Sequence, residues 1–257
     1  KRQLAEFALQ QIGIYLSGTD NPFLAVPYFE ELLSRSNPEA DAFKAEADMA
    51  LGEIEARSPD PVKVQSARER FRRVIDKYES RALTPQAYLN LANLHIKQEE
   101  WKDALAALDA INKNKSYFGD NRAKRAEALY LLGTVLDELD DPSEANQAYL
   151  GVVTTYPRYH DWVTQAWEKY IPNSLEFINA LPEGAEEERW EKRKKQIALY
   201  RLCVRYIYQW QNLDEEADAP SGALRRLRRQ LPELKADLAI TPEEDLAVKT
   251  ALGITEE

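Results

Sequence analysis

Only two histidines and one cysteine occur in the 257 residues, so few side chains could ligate a metal or pair a nucleophile with a base. His95 stands in "NLANLHIKQEEW", with Glu99 and Glu100 close behind; His160 follows "YPRY". A zinc site needs several N, S or O ligands converging on one point. Neither histidine has a second His or Cys at ligand spacing. His95 is therefore read as a packing histidine on the inner face of a helix. Cys203, in "RLCVRYIY", is read as a small buried apolar residue. A lone thiol forms no intrachain disulfide and no Cys-based zinc cluster. No Gly-rich phosphate loop is present. The acidic pairs Glu99-Glu100 and Asp140-Asp141 fall between apolar segments and are read as solvated turn caps. These residues assemble no catalytic set, no metal site and no cofactor site, and the chain is read as a non-enzyme.

Function must then lie in surfaces, and charge bounds their kind. Net charge is −10 with 30% charged and 44% hydrophobic residues, enough to fill a core. An acidic balance disfavours a dedicated nucleic-acid binder. Between Glu186 and Lys235, however, 12 Lys/Arg face 9 Asp/Glu, a local balance of +3. The runs "RWEKRKK" and "LRRLRR" there could touch nucleic acid or an anionic surface, or simply form a solvated face. No stretch of 18 apolar residues exists, so no membrane span is expected. The chain begins with Lys1 rather than Met, and a signal, anchor or further domain could have been removed before it.

The elements that must position any site come from internal repetition. A small residue sits inside an apolar helical run at Gly13, Gly52, Ala92 and Gly133, at steps of 39, 40 and 41. An alanine comes after each, beyond a break: Ala25, Ala67, Ala104 and Ala145. Phe29, Phe71, Leu108 and Tyr149 stand four further on, then Leu32, Val74, Ile111 and Val152 another three. Ile12, Leu51, Leu91 and Leu132 directly precede the small residues. This spacing predicts helical hairpins: the small residue admits the partner helix closely, and the alanine, large and aliphatic row packs there. One hairpin cannot bury both faces, so stacked copies share a continuous core. Asn21-Pro22, Asp60-Pro61, Thr84-Pro85 and Asp141-Pro142 each read as a capping side chain before a proline at the first helical position.

These residues, with Pro157 closing the fourth unit, resemble the tetratricopeptide repeat (TPR) family. The best matches are "AYLNLANLHIKQEEWKDALAALDAI" and "ALYLLGTVLDELDDPSEANQAYLGVV"; the second unit departs most, with Asp48 where an aromatic or Leu is usual. The resemblance implies an all-α, TPR-like right-handed superhelical solenoid over residues 1–160, with hairpins at 6–39, 45–81, 85–118 and 126–159. Residues 161–257 are expected to form C-terminal helices that pack on and cap it. These comprise a helix over 162–180 turned or kinked at Pro172, and a long helix over 186–213 with rows Ile197, Tyr200, Val204, Ile207 and Leu199, Cys203, Tyr206, Trp210. A Leu seam at Leu224, Leu227, Leu231, Leu234 and Leu238 comes next, split at Pro232. A short helix capped by Thr241 and stopped at Gly253 ends the chain. The segment with Tyr149, Val152, Tyr156, Pro157 and Ala166 is similar to TPR proteins of bacterial envelopes, which would place the protein in the periplasm or at the envelope rather than in the cytoplasm.

In that family the first helices line a groove. The resemblance assigns to it Gln10, Ile14 and Ser17; Met49, Glu53 and Ala56; Leu89, Asn93 and Ile96; Tyr130, Thr134 and Asp137. It implies a protein scaffold or adaptor that binds a partner peptide or helix, with apolar anchors and a basic residue near Glu53 or Asp137. A clamp for a carboxylate tail is disfavoured, because no Lys or Arg falls at these positions. The alternatives are a nucleic-acid or anionic-surface binder through the basic C-terminal helices, and the non-catalytic TPR part of a larger enzyme.

Overall fold

The structure, a computed structural model, describes residues 2–36, 40–78, 82–214 and 222–254. Among these residues are twelve α-helices and no strand. They fall into two compact units, Lys1–Leu139 and Asp140–Glu257, so the division lies inside the fourth expected hairpin rather than after it.

The first unit holds α1 (Arg2–Ser17), a 3-10 turn (Pro22–Ala25) running into α2 (Val26–Ser34), α3 (Asp41–Glu55), α4 (Pro61–Asp76), α5 (Thr84–Lys97), α6 (Trp101–Lys113) and α7 (Arg122–Glu138). Each helix packs on the next, so α1/α2, α3/α4 and α5/α6 form hairpins, and each second helix also lies against the next first helix. The reason is steric. A Cβ added at Gly52 would stand 2.6 Å from the Phe71 ring, and one at Gly13 would run into Phe29. The large ring occupies the space the absent side chain leaves. In the third hairpin Ala92 and Leu108 hold the same two positions, both buried.

Two apolar clusters carry these rows across hairpin boundaries. Ala25, Phe29 and Leu32 pack with Ala47, Leu51 and Ile54 of α3. Ala67, Phe71 and Val74 pack with Ala87, Leu91 and Leu94 of α5, joined by Met49. Ile12 departs from its counterparts, being 42% exposed.

Caps agree with the sequence in part. Asp60 accepts from Val62 N and Asp141 from Glu144 N. Asn21 makes no side-chain cap. Thr84 is itself helical, with Leu83 preceding it, so the expected Thr84 cap is not formed. Asn121, unremarked in the sequence, caps α7 through Lys124 N.

The second unit holds α8 (Pro142–Thr155), α9 (His160–Asn179), α10 (Glu186–Asp214), α11 (Gly222–Asp237) and α12 (Pro242–Ala251). α9 packs on α8, α10 and α11, and α10 contacts α11 and α12. Pro172 and Pro232 lie inside continuous helices rather than ending them. Both prolines are exposed, so the carbonyl each leaves without a donor can turn to water. Cys203 is fully buried, and burial pushes its thiol well above the ordinary range. Trp167 stacks edge-on against Tyr170 and Tyr206. Leu224, Leu227, Leu234 and Leu238 are buried as the seam predicts, while Leu231 is half-buried. Thr241 and Glu244 complete a capping box, and Gly253 ends α12 at a φ of +69°. The side chain of Trp210 and most of the loop expected over 214–222 lie outside the described residues.

Candidate functional site

The groove positions lie on α1, α3, α5 and α7, all in the first unit. Their accessibility divides by register. Gln10, Met49 and Leu89, each three before its small residue, are buried, at 4%, 6% and 0% exposure. Met49 belongs to the core cluster under α4 and α5. Gln10 donates through its side-chain amide to Glu46 of α3. This row faces neighbouring helices, and a partner would find little of it to touch. Ile14 and Glu53 are exposed; Asn93, Tyr130, Thr134 and Asp137 are half-buried.

The accessible stripe runs at helical spacing through positions the sequence pattern did not single out. On α3 it is Glu46, Ala50 and Glu53; on α5 it is Gln86, Asn90 and Asn93. Amides and carboxylates link along and across these helices. Asn90 Nδ2 donates to Glu53 Oε1 at 3.0 Å, and Gln86 Nε2 donates to Asn90 Oδ1 at 2.8 Å. Glu46 is held by Gln10. The signal was present in the three-then-four spacing back from Glu53 and Asn93. Both carboxylates thus sit against neutral amides, which orient them without cancelling their charge.

Several other charged groups of the first unit are used internally. Asp48 has no exposed surface. It accepts from Arg70 Nη1 at 3.1 Å, from Arg73 Nη1 at 3.0 Å and from Tyr78 Oη at 3.1 Å. Arg70 Nε also donates to Glu55 at 2.9 Å. Burial, then the Asp48 carboxylate, pushes the Tyr78 hydroxyl up to about 12. The odd aspartate of the second hairpin is thus a buried, satisfied acceptor and carries no site.

His95 is buried, and its Nδ1 lies 2.6 Å from Glu100 Oε2. The Arg68 guanidinium reaches the same carboxylate oxygen at 2.5 Å. Burial raises the Glu100 pKa, but the hydrogen bonds from His95 and Arg68 outweigh it and hold the carboxyl below its usual range. Glu100 is therefore a structural ion-pair partner, which corrects the reading of a solvated cap. Potential ligand atoms, one each from His95, Glu100 and Asp103, lie within 4.8 Å of one another. A cation would have to displace Arg68 from Glu100, so the cluster is suited to internal pairing.

In the second unit the basic runs are also largely engaged. Arg193 binds Glu244 and donates to the carbonyls of Leu238 and Ala239 at 2.8 and 2.9 Å, tying α10 to the start of α12. Lys192 pairs with Glu183, Lys194 with Glu191 and Arg226 with Glu168. Lys195 lies over the Phe177 ring. Arg225 and Arg229 remain exposed on α11. A recess of about 620 Å³ between α8, α9 and α10 is lined by Asn146, Leu150, Tyr170, Phe177 and Lys195.

No curated protein matches the chain. The family model for a tetratricopeptide repeat-like domain matches residues 36–165, just over half of the 257. That span runs from before α3 into α9, over the hairpins that share the small-residue and alanine registers. Such repeats point to a role in protein–protein interaction, and the chain belongs to the tetratricopeptide repeat-like family.

Proposed function

We propose that the chain is a non-catalytic protein-binding scaffold, and that its first helices take a partner peptide or helix carrying basic side chains. The observation that supports this most is the pairing of Glu46 and Glu53 with neutral amides on adjacent helices. A carboxylate held by an amide is oriented and still negative, so a Lys or Arg from a partner gains a charge-assisted bond there. Asn93 and Thr134 would offer hydrogen bonds beside it, Ile14 and Tyr130 apolar contact, and Asp137 a further negative group. Gln10, Met49 and Leu89 would set the positions of these helices from beneath. The resemblance around Tyr156-Pro157 suggests assembly at a bacterial envelope as the setting.

The alternative, binding of nucleic acid or an anionic surface through α10 and α11, draws mainly on Arg225 and Arg229. The neighbouring Lys192, Arg193, Lys194 and Arg226 already have acidic partners.

Helical peptides selected from a random library against the whole chain test the proposal. Enrichment in Lys and Arg is expected, with affinity falling about tenfold in Glu53→Gln and again in Asn93→Ala. Selected peptides that lack basic residues, or that bind both variants unchanged, would overturn it.

A further inference from the structure

The recess in the second unit has a chemistry of its own. Its floor is the C-terminal half of α9, and its walls are α8 and the middle of α10. One face of each helix turns to it at helical spacing: Leu150 and Thr154 of α8, Tyr170 and Phe177 of α9, Lys195 and Leu202 of α10. The three helices are consecutive and internal to the sequence, so the recess does not owe its existence to a chain end.

It has two parts, which share Leu150, Tyr170, Phe177 and Lys195. The narrower, about 460 Å³, runs on between Ile178, Leu199 and Leu202 and is mainly apolar. Its polar members Asn146 and Ser174 are bonded to each other, Asn146 Nδ2 donating to Ser174 Oγ at 3.0 Å. The wider, about 620 Å³, opens past the neutral side chains Ser143 and Gln147. Apolar and aromatic walls with a few polar groups, at a few hundred Å³, are the form of a small-molecule site.

Charge decides what fills it. Lys195 Nζ stands 5.2 Å from the centre of the Phe177 ring, where the two parts join. Its neighbours Lys192, Arg193 and Lys194 each hold a carboxylate. Lys195 pairs with none among the described residues. Glu176 lines the wider part alone. An ammonium without an acidic partner, set beside an aromatic ring and an apolar slot, is complementary to a carboxylate joined to an apolar chain. A neutral apolar body would leave the ammonium unpaired, and a cation would meet it directly.

We propose that this recess binds a free medium-chain alkyl carboxylate, its head on Lys195 and its chain running over Phe177 and Tyr170 to the end walled by Leu199 and Leu202. Ala198, exposed on α10, keeps that end open, because a larger side chain there would fill it. The site lies wholly in the second unit, and the stripe on α3 and α5 takes no part in it.

Decanoate labelled at its carboxyl carbon, added to the whole chain and followed by NMR, tests this. Saturable binding is expected, with acetate at least about a hundredfold weaker because it leaves the apolar end unused. Decyltrimethylammonium should not compete. Lys195→Glu should reverse that preference, taking the cation and weakening decanoate at least about tenfold, while Lys195→Arg keeps decanoate. Ala198→Phe should abolish binding. Lys195 and Ala198 are both exposed, so these variants keep the fold. Glu53→Gln should change nothing here, which separates this site from the peptide groove. No saturable binding of decanoate, or binding indifferent to Ala198→Phe or to Lys195→Glu, would overturn the proposal. So would a different occupant: a selected helical peptide, or a second copy of the chain, whose binding is lost in Ala198→Phe and is not displaced by decanoate.

Discussion

The second and third hairpins solve one packing problem with different residues. In the second, Gly52 faces the ring of Phe71; in the third, Ala92 and Leu108 stand in the same places. Where the second helix gives more volume, the first gives less, and the hairpin closes either way. Four before the small residue the contrast is sharper. Asp48 is wholly buried among Arg70, Arg73 and Tyr78, while Tyr88 is half-buried and stacks with Tyr117. Three after it, both hairpins use a polar group tied to a neighbour: Glu55 to Arg70, and His95 to Glu100. The repeat therefore fixes volume and position, and tolerates charge wherever the partners are built in.

The largest effect should come from removing the charge at the centre of the second hairpin. Asp48→Ala leaves Arg70 and Tyr78 without their buried acceptor, and breaking such a group from one side costs about 3–5 kcal/mol. Denaturant unfolding would read this, with Tyr88→Ala in the third hairpin as the contrast and a smaller loss. A loss for Asp48→Ala no greater than for Tyr88→Ala would mean that the network contributes little.

Next comes the volume exchange. Gly52→Ala drives a methyl into the Phe71 ring, an overpacking cost of about 1–3 kcal/mol. Adding Phe71→Leu recreates the pair of the third hairpin and should recover part of that cost. The two substitutions are then non-additive in a double-mutant cycle. Additive losses would refute the complementarity of the two positions.

The smallest effect is the acid response of the third hairpin. Glu100 is held below its usual range after burial is outweighed by His95 and Arg68. A depressed carboxyl stabilises the fold above its ordinary pKa, and that contribution is lost as pH falls through the lower folded value. Glu100 is 34% exposed, so solvent screening keeps the contribution to about 1 kcal/mol or less. Glu100→Gln should flatten the stability profile on the acid side of the carboxylate range; an unchanged slope would remove Glu100 from the account.

Much of the hairpin register was legible in residue types alone, because close approach demands a small side chain and helical periodicity sets the positions of the alanine and the large residue after it. Gly52, Phe71 and Val74 could be aligned before any coordinates. The burial of Gln10, Met49 and Leu89 was not legible, because helical spacing gives a face and not the angle at which the next helix covers it. Asp48 read as a lapse in the pattern; the arginines that satisfy it come from another helix, and only Arg70 and Arg73 at a three-residue step hinted at them. Glu100 misled for the opposite reason: it sits in a turn, where a carboxylate usually faces water, yet His95 and Arg68 reach it from two helices. Pro172 and Pro232 split neither α9 nor α11, since a proline on the solvent side of a packed helix need not end it.

The most direct measurement is hydrogen exchange on the whole chain with and without a peptide selected to bind it. The account predicts slowed exchange in α3, α5 and α7 around Glu53, Asn93 and Thr134. Slowing confined to α10 and α11 around Arg225 and Arg229 would contradict it.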